Sequence, residues 1–316
     1  MTRWVPDTEL SGYQQCLIDL EEEPTYALEP DGSLVATVVR RNEPATRRAV
    51  LYVHGWNDYF FQTHLADEMA ALGYDFYAVD LRRYGRSLRK GQLAGYITDL
   101  RDYFVELDAA LEVVREEGHD DVVLMGHSTG GLTAALYADE RPATFSALIL
   151  NAPWLEAYGN TLLRPAVSAA RAVAPTTVVP VTDAGYYRRS ISAVEEGEWE
   201  YNTNLKGDPA FRPRVGWLAA VANGHARIAD GLRIDCPVMV AISERSLFSR
   251  TWSEEQSLAD IVLDVNLIAA RAPMLGNTVA IVRVPGGMHD LTLSSPDVRA
   301  VVFEQYARFL RCFGQA

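Results

Sequence analysis

The chain has 316 residues, 48% of them hydrophobic and 22% charged, and its formal net charge is −13. This composition excludes a wholly disordered chain, and the acidity argues against nucleic-acid binding and against adsorption to anionic membranes. No apolar run reaches the roughly 18 residues of a membrane-spanning helix, so we expect no integral membrane association. Three scattered cysteines form neither a disulfide framework nor a zinc site. Because no signal peptide is visible either, we expect a cytoplasmic protein.

Short apolar runs alternate along the chain with longer segments of helical periodicity. The runs cover residues 34–39, 49–53, 76–79, 122–125, 147–150, 237–242 and 278–284. Their Val, Ile, Leu and Tyr content is typical of strands that are buried on both faces. Residues 63–72, 97–116 and 132–140 carry the helical pattern. The alternation predicts an α/β fold with a mostly parallel central sheet and helices on both faces.

The alternation stops after Asn151 and resumes at Ile234. We predict that residues 155–227 form an inserted cap or lid, and that residues 1–154 and 228–316 form the core. A long connection without a role is the alternative, but structureless connections of this length are uncommon in compact domains. Within the cap, the apolar segment at residues 166–181 is predicted either to bind an acyl chain or to pack the cap's own interior.

The motif Gly126-His127-Ser128-Thr129-Gly130 directly follows a predicted buried strand and precedes a predicted helix. This context is that of a nucleophile elbow, in which a sharp turn exposes the serine hydroxyl above the sheet. Side chains flanking such a turn would clash, which explains the two glycines. The N–H groups at the start of the helix favour developing negative charge. The pattern predicts Ser128 as a nucleophile.

His54-Gly55-Trp56 follows the strand predicted at residues 49–53. A turn at this place puts a backbone N–H close to the elbow. We therefore expect the N–H groups of Trp56 and Thr129 to form an oxyanion hole. His54 is interpreted as a buried residue that shapes the turn and not as a base.

A serine hydroxyl is a weak nucleophile until a base takes its proton, and histidine titrates near working pH. His289 follows a late predicted strand and alone permits the chain order serine, acid, histidine. His127 lies beside the nucleophile but is predicted to point elsewhere. His64, His119 and His225 are predicted to lie on a helix, on a surface loop and in the cap.

The third member of such a set is a carboxylate that fixes the histidine tautomer. It should follow the strand predicted at residues 237–242. Glu244, Asp260 and Asp264 are the candidates, and the position of the strand alone does not choose among them.

With these motifs the sequence resembles the α/β-hydrolase superfamily, and within it the monoacylglycerol lipase and lysophospholipase-like branch of serine aminopeptidase S33 type. The resemblance covers roughly residues 34–155 and 234–312. Residues 54–56 are similar to the branch's His-Gly-x oxyanion turn, and residues 126–131 to its Gly-His-Ser-Met-Gly-Gly elbow. Residues 80–87 are similar to its Asp-x-Arg-Gly-His-Gly-x-Ser loop.

The segment Ala-Asp-Ile-Val-Leu-Asp at residues 259–264 is similar to the branch's Ala-Asp-Arg-Val-Val-Asp acid loop. The resemblance therefore implies Asp260 as the acid beside Ser128 and His289. It further implies an α/β-hydrolase fold and a hydrolase of carboxylic esters that works through an acyl-enzyme. Small-molecule acyl esters such as a monoacylglycerol or a lysophospholipid form the leading substrate class.

Three departures from the pattern stand out. Arg83 and Tyr84 occupy positions where the branch has Gly and His, so this loop is expected to contact substrate differently. Thr129 replaces a common Met, which is of no consequence if only its N–H is used. Residues 245–258 form an insertion before the acid loop and are expected to contribute to the pocket wall.

Two other functions compete with ester hydrolysis. An aminopeptidase of the proline-iminopeptidase type needs an anionic pocket for the substrate amine. Glu195, Glu196, Glu198 and Glu200 could supply it, although such a run is more typical of a solvated face. A non-catalytic ligand-binding protein of the same fold would usually have lost the serine, the histidine or the acid. No P-loop, dinucleotide or zinc motif is present, so we expect no cofactor or metal. The sequence makes no prediction of an oligomeric state.

Overall fold

The computed structural model describes residues 3–20, 23, 26, 29, 34–41, 43–157, 159–180 and 184–313, with the side chains of residues 160–163 excepted. Within this part of the chain, nine strands form one sheet. The strands are β1 (Val5–Pro6), β2 (Gln14–Asp19), β3 (Val35–Arg40), β4 (Arg48–Val53), β5 (Asp75–Asp80), β6 (Asp121–His127), β7 (Ala147–Asn151), β8 (Val238–Ser243) and β9 (Val279–Val284). Their order across the sheet is β1-β2-β3-β5-β4-β6-β7-β8-β9.

Most of the sheet is parallel. From β5 through β4, β6, β7 and β8 to β9, each strand runs parallel to its neighbours. Strand β2 is antiparallel to both β1 and β3, and β3 is antiparallel to β5. All seven predicted strands overlap β3 to β9, so these predictions are confirmed. The first two strands were not predicted because β2 buries only Cys16 fully and mixes polar with apolar residues.

Helices cover both faces of the sheet. They are α1 (Thr63–Ala71), α2 (Phe104–Glu116), α3 (Ser128–Glu140), α4 (Asn160–Val173), α5 (Tyr186–Ile191), α6 (Thr203–Lys206), α7 (Val215–Asp230), α8 (Val265–Arg271) and α9 (Pro296–Phe313). Leu65 of α1 and Tyr306 of α9 belong to the core on one face, and Leu111 of α2 and Ile268 of α8 to the core on the other. The predicted fold class is confirmed.

Two helix boundaries differ from the prediction. The helix predicted at residues 97–116 begins at Phe104, because a 3₁₀ turn at Leu100–Tyr103 precedes it and the Asp99 carboxylate caps that turn. The helix predicted at residues 132–140 begins earlier, at Ser128, because the elbow turns straight from strand into helix.

Among its described residues, the chain between β7 and β8 contains four helices, α4 to α7, although the two strands are neighbours in the sheet. We call this part of the chain the inserted segment. Helix α7 packs against both α4 and α3. It runs through residue 227, the predicted end of the cap, and ends at Asp230. In the part of the chain that the structure describes, none of the helices combines the length and the apolar character that crossing a membrane requires.

Candidate active site

The turn at Ser128 lies between β6 and α3. The strand ends at His127 and the helix begins at the next residue, so Ser128 has a left-handed backbone conformation with φ of +52°. A Cβ on Gly126 would lie 2.7 Å from the Gly130 carbonyl oxygen, and one on Gly130 would lie 2.1 Å from the His54 carbonyl oxygen. No side chain fits at such distances from backbone atoms, so both positions require glycine.

Three buried side chains form a continuous chain of hydrogen bonds. The Ser128 Oγ lies 3.0 Å from His289 Nε2, and His289 Nδ1 lies 2.9 Å from Asp260 Oδ2. Ser128 follows β6, Asp260 lies beyond β8 and His289 follows β9. A proton on Nδ1 would be donated to the carboxylate, which leaves Nε2 free to accept the serine hydroxyl proton.

The Asp260 carboxylate is held by the backbone around it. Its Oδ1 accepts hydrogen bonds of 2.8 Å from the N–H groups of Val262 and Leu263. The Asp260 N–H donates to the Arg245 carbonyl oxygen at 3.0 Å, and its carbonyl accepts from the Leu247 N–H at 2.9 Å. The first residues of the expected insertion are therefore bonded through their backbone to Asp260. These bonds leave Oδ2 directed at the histidine.

The other two candidate acids lie elsewhere. Glu244 is exposed at the end of β8. The Asp264 side chain caps α8, where it accepts a hydrogen bond of 2.8 Å from the Asn266 N–H. Of the three carboxylates, the structure brings Asp260 alone to His289.

The turn after β4 approaches the nucleophile from another side. A Cβ on Gly55 would lie 3.1 Å from the Ser128 Cβ, so the glycine permits close approach of the two segments. His54 is buried, its Nδ1 lies 2.8 Å from the Gly55 carbonyl oxygen, and its Nε2 accepts from the Leu81 N–H at 3.1 Å. Both ring nitrogens are thus used within the turn. The prediction that His54 shapes the turn is confirmed.

The two predicted oxyanion donors flank this close approach. Trp56 continues the turn after Gly55, and Thr129 is the second residue of α3. For neither N–H does a hydrogen-bond acceptor lie among the described residues. The first N–H groups of a helix have no partner within it, and the helix dipole adds partial positive charge there. Both donors can therefore serve a ligand at Ser128.

The loop after β5 carries the departure at Arg83 and Tyr84. Arg83 has a φ of +66° at the position where the related branch has glycine. Its guanidinium lies 2.6 and 2.8 Å from the Glu29 carboxylate, and both side chains are buried. The buried Tyr84 ring lies 4.9 Å from the His54 ring and 5.9 Å from the Trp56 ring. Arg83 thus anchors the loop, and Tyr84 packs against the turn after β4.

Aromatic side chains from the inserted segment contact His289 and the turn at Trp56. The Tyr187 ring of α5 lies 5.5 Å from the His289 ring. The Trp217 ring of α7 lies 3.9 Å from the Trp56 ring and 5.9 Å from the Trp154 ring. The positions of Tyr187, Trp154 and Trp217 were not predicted from the sequence. Their only signal was the density of Tyr and Trp in a segment without clear periodicity.

A second buried polar cluster lies next to His289. His127, Asp58 and Asp290 each have a possible metal-ligating atom within 4.8 Å of the others. The Lys206 ammonium already pairs with Asp58, and Asp290 accepts hydrogen bonds from three neighbouring side chains. Burial alone would raise the pKa of Asp290, but His127 and the hydrogen bonds from Thr292 and Asn151 together lower it below its ordinary value. The protein's own groups thus satisfy both carboxylates.

The remaining histidines lie apart from Ser128 Oγ. The His127 Nδ1 lies 3.0 Å from a carbonyl oxygen of β7, which confirms that this ring points elsewhere. His64 lies on α1, as predicted, and His225 lies on α7, within the residues that were predicted to form the cap. The prediction of a surface position for His119 is wrong. Its side chain is buried against β5, and its Nε2 lies 2.8 Å from the Tyr77 hydroxyl.

The structure also shows where the apolar segment and the acidic run of the predicted cap lie. The described part of the apolar segment at residues 166–181 begins on α4, where most side chains are exposed and Val173 is 86% exposed. Val181 lies outside the described residues. The four glutamates of the acidic run are exposed, as interpreted. Three of them pair with arginines: Glu195 with Arg188, Glu196 with Arg189 and Glu198 with Arg299.

Two characterised relatives match parts of the chain. Monoacylglycerol lipase of Mycolicibacterium smegmatis is 30% identical over 115 residues, which are 35% of this chain and 40% of that protein. The 1-acylglycerol-3-phosphate O-acyltransferase ABHD5 of Rattus norvegicus is 28% identical over 138 residues, which are 41% of this chain and 37% of that protein. The match thus spans about two fifths of each relative's length.

A solved structure and a family model cover more of the chain. The carboxyl esterase of Bacillus coagulans, solved in complex with glycerol, superposes with a TM-score of 0.67 at 16% identity. The superposition covers 96% of this chain and 100% of that one, and indicates a common fold. The model of the family described as serine aminopeptidase, S33 matches residues 44–247, more than half of the chain. The resemblance inferred from the motifs is confirmed, and the chain belongs to the serine aminopeptidase S33 family with an α/β-hydrolase fold.

Proposed function

We propose that this protein is a serine hydrolase that cleaves carboxylic esters of small molecules through Ser128, His289 and Asp260. The observation that carries the proposal is the chain of hydrogen bonds, 2.9 and 3.0 Å long, from the carboxylate through the imidazole to the hydroxyl. A serine becomes a nucleophile when a base within hydrogen-bond distance takes its proton. The names of a monoacylglycerol lipase and a carboxyl esterase among similar proteins also support ester cleavage.

The reaction begins when the Ser128 oxygen attacks the ester carbonyl carbon while His289 Nε2 takes the hydroxyl proton. The carbonyl electron pair moves onto oxygen and gives a tetrahedral oxyanion. This pair then re-forms the carbonyl, the bond to the alcohol breaks, and the alcohol leaves with the proton from His289. Water hydrolyses the acyl-enzyme by the same two steps, in which His289 accepts its proton and returns it to Ser128. Asp260 holds the imidazole and stabilises its charged form.

The oxyanion is held by the N–H groups of Trp56 and Thr129. Neither N–H has a protein acceptor among the described residues, so no existing hydrogen bond has to break when the oxyanion forms. Loss of one such donor typically lowers kcat by about 10²- to 10³-fold. The Gly55 backbone beside Ser128 supports this assignment because it brings the following residue next to the nucleophile.

We further propose that residues 155–227 act as the cap over this site and that the substrate is a monoacylglycerol or a lysophospholipid. The contacts of Tyr187 with His289 and of Trp217 with Trp56 support a cap that reaches the reacting groups. Aromatic walls of this kind favour an apolar acyl group. Acyl binding by the apolar segment at residues 166–181 stays a prediction, as does the cytoplasmic location.

The exposed acidic run gives no support to the aminopeptidase alternative. A pocket for a substrate amine needs unpaired carboxylates near Ser128, whereas three of the four glutamates already pair with arginines. The hydrogen-bonded arrangement of Ser128, His289 and Asp260 likewise argues against a purely ligand-binding protein. Such a role places no demand on a base within hydrogen-bond distance of a serine.

A fluorophosphonate probe and a panel of substrates test the proposal together. The probe should label Ser128 in the folded protein and should fail to label Ser128→Ala. A series of p-nitrophenyl esters of rising chain length is compared with aminoacyl-naphthylamides. We expect turnover of the esters and a loss of about 10⁶-fold in Ser128→Ala.

The panel also decides among the alternatives. Turnover of the amides alone would replace the esterase by the aminopeptidase. A folded wild-type protein that neither reacts with the probe nor turns over any substrate would favour the ligand-binding protein. Ser243→Ala is a suitable control, since this buried serine has no role in the proposed chemistry.

A further inference from the structure

Three consecutive residues directly after Trp56 bind one stretch of the inserted segment. We call this stretch, residues 202–211, the docking segment. Asn57 and Asp58 bind it through their side chains, and the Tyr59 hydroxyl accepts a hydrogen bond of 2.8 Å from its first backbone N–H. Trp56, whose N–H is proposed to hold the oxyanion, is thus followed directly by three residues that bind the proposed cap.

The Asn57 side chain forms hydrogen bonds with the docking segment through both of its polar atoms. Its Nδ2 donates to the Gly207 carbonyl oxygen at 3.2 Å, and its Oδ1 accepts from the Phe211 N–H at 3.1 Å. Its φ of +53° places the backbone in the left-handed region, which asparagine tolerates better than most residues. A Cβ on Gly207 would lie 2.4 Å from Asn57 Oδ1, so the two segments meet closely. The direction of the chain just after Trp56 therefore depends on the docking segment.

The next attachment is a buried ion pair. The Lys206 ammonium contacts the Asp58 carboxylate, and the two residues are 8% and 3% exposed. The same ammonium lies 5.1 Å from the centre of the Phe61 ring and 5.6 Å from that of the Tyr201 ring. Removal of one partner leaves a buried charge without compensation, which is far more costly than removal of both. The pair therefore holds the turn and the docking segment together.

We propose that Asn57, Asp58 and Lys206 are positioning residues for the Trp56 N–H, so that the cap completes the oxyanion hole without touching the oxyanion. The inference rests on the proposed ester hydrolysis. A donor acts only when it lies 2.7–3.1 Å from the place where negative charge develops. The strand β4 fixes this turn from one end. The docking segment fixes it from the other.

Lys206→Met tests the proposal because it removes the charge and keeps most of the apolar stem beside the two rings. We expect kcat for p-nitrophenyl esters to fall about 10- to 100-fold, with KM changed less than about twofold. Affinity for a trifluoromethyl ketone, which forms an oxyanion on Ser128, should fall by the same factor as kcat/KM. Arg299→Met is the matched control, since Arg299 ties the insertion to α9 through Glu198 away from the turn. It should keep kcat.

The double variant Asp58→Asn/Lys206→Met separates positioning from simple stability. It carries no unpaired buried charge, so it should regain thermal stability but keep the low kcat of Lys206→Met. Recovery of kcat together with stability would overturn the proposal. So would a Lys206→Met protein that keeps wild-type kcat.

The amide chemical shift of Trp56 keeps the inference distinct from the proposed function. If the wild type neither hydrolyses esters nor binds the ketone, ester hydrolysis fails as the function. The positioning claim is then judged by the position of the Trp56 amide signal in the NMR spectrum. A shifted signal in the double variant, but not in Arg299→Met, supports it, and the same signal position in all three proteins refutes it.

Discussion

The elbow at Ser128 and the turn at Trp56 lie side by side, yet they are held by different means. The elbow is fixed by backbone contacts, since a Cβ at Gly126 or Gly130 would collide with main-chain atoms. The turn is fixed by side chains that reach residues 202–211, far away in the sequence. The elbow thus depends on residues that are close in the sequence, whereas the turn also depends on contacts with residues that are distant in the sequence.

Within the inserted segment, the docking segment and α4 differ in how tightly they are held to the rest of the protein. Its docking segment buries Lys206 and is bound to three consecutive residues of the core. Helix α4 packs against α7 and leaves most of its described side chains exposed. We therefore expect substitutions to have large effects at the elbow and in the docking segment and small effects on α4.

The largest effect is expected at the acid. Asp260→Asn should lower kcat by about 10⁴-fold, because an amide in place of the carboxylate favours the wrong tautomer of His289. Asp264→Asn is the matched control and should keep kcat within about twofold, since asparagine also caps helices well. Ester hydrolysis measured on both variants and on Glu244→Gln checks the expectation. A large loss in either control but not in Asp260→Asn would reassign the acid.

The local character of the elbow is tested by Gly130→Ala. The new Cβ would meet two backbone carbonyl oxygens, at 2.1 and 2.5 Å, so we expect a loss of about 3 kcal/mol or more in the free energy of unfolding. Gly118→Ala is the control. Gly118 has a φ of +98° with no atom within 4 Å of an added Cβ, and the loss there should be about 1 kcal/mol. Urea unfolding of both variants gives the comparison, and equal losses would show that close packing at the elbow is unimportant.

The attachment of α7 to the core should appear in the pH dependence of stability. Burial lowers the pKa of His225 to about 4, although its bond to the Trp154 carbonyl oxygen opposes the shift. Between the ordinary pKa of about 6.5 and about 4, the unfolded chain binds a proton that the folded protein refuses. Stability is therefore retained above about pH 6.5 and falls as the pH drops towards 4, by up to about 3 kcal/mol.

Urea unfolding of the wild type and of His225→Gln over this pH range measures that contribution. The variant should lose less stability than the wild type on acidification. Parallel curves for the two proteins would mean that the histidine contributes nothing to acid sensitivity.

The smallest effect is expected at the exposed end of α4. Val173 is 86% exposed, so Val173→Ser should change the free energy of unfolding by no more than about 0.5 kcal/mol. A clearly larger loss would mean that α4 is covered by a partner in solution. Sedimentation of the wild type and the variant would show that partner if it is a second copy.

Much of the fold could be predicted from the sequence because its central strands are buried on both faces. Such strands are almost uniformly apolar, and β3 to β8 have this character. The edge strand β9 is only partly buried, but its sequence is apolar enough to be predicted as well. Strands β1 and β2 were not predicted because Cys16 is the only one of their residues that is fully buried. The prediction for His119 was wrong because its polar neighbours are typical of a surface loop, whereas its side chain is buried against β5.

The sequence by itself determined the elbow at Ser128, the turn at Trp56 and the late histidine His289, because each depends on a few neighbouring residues between regular elements. Its local patterns did not choose among three carboxylates and only the resemblance to the branch's acid loop favoured Asp260, since the path of the loop that brings Asp260 back to His289 is a property of the folded chain. Only the tertiary structure decided that Lys206, Trp217 and Tyr187 adjoin these motifs. Contacts between distant segments depend on how side chains fill one shared interior, and no local pattern encodes that packing.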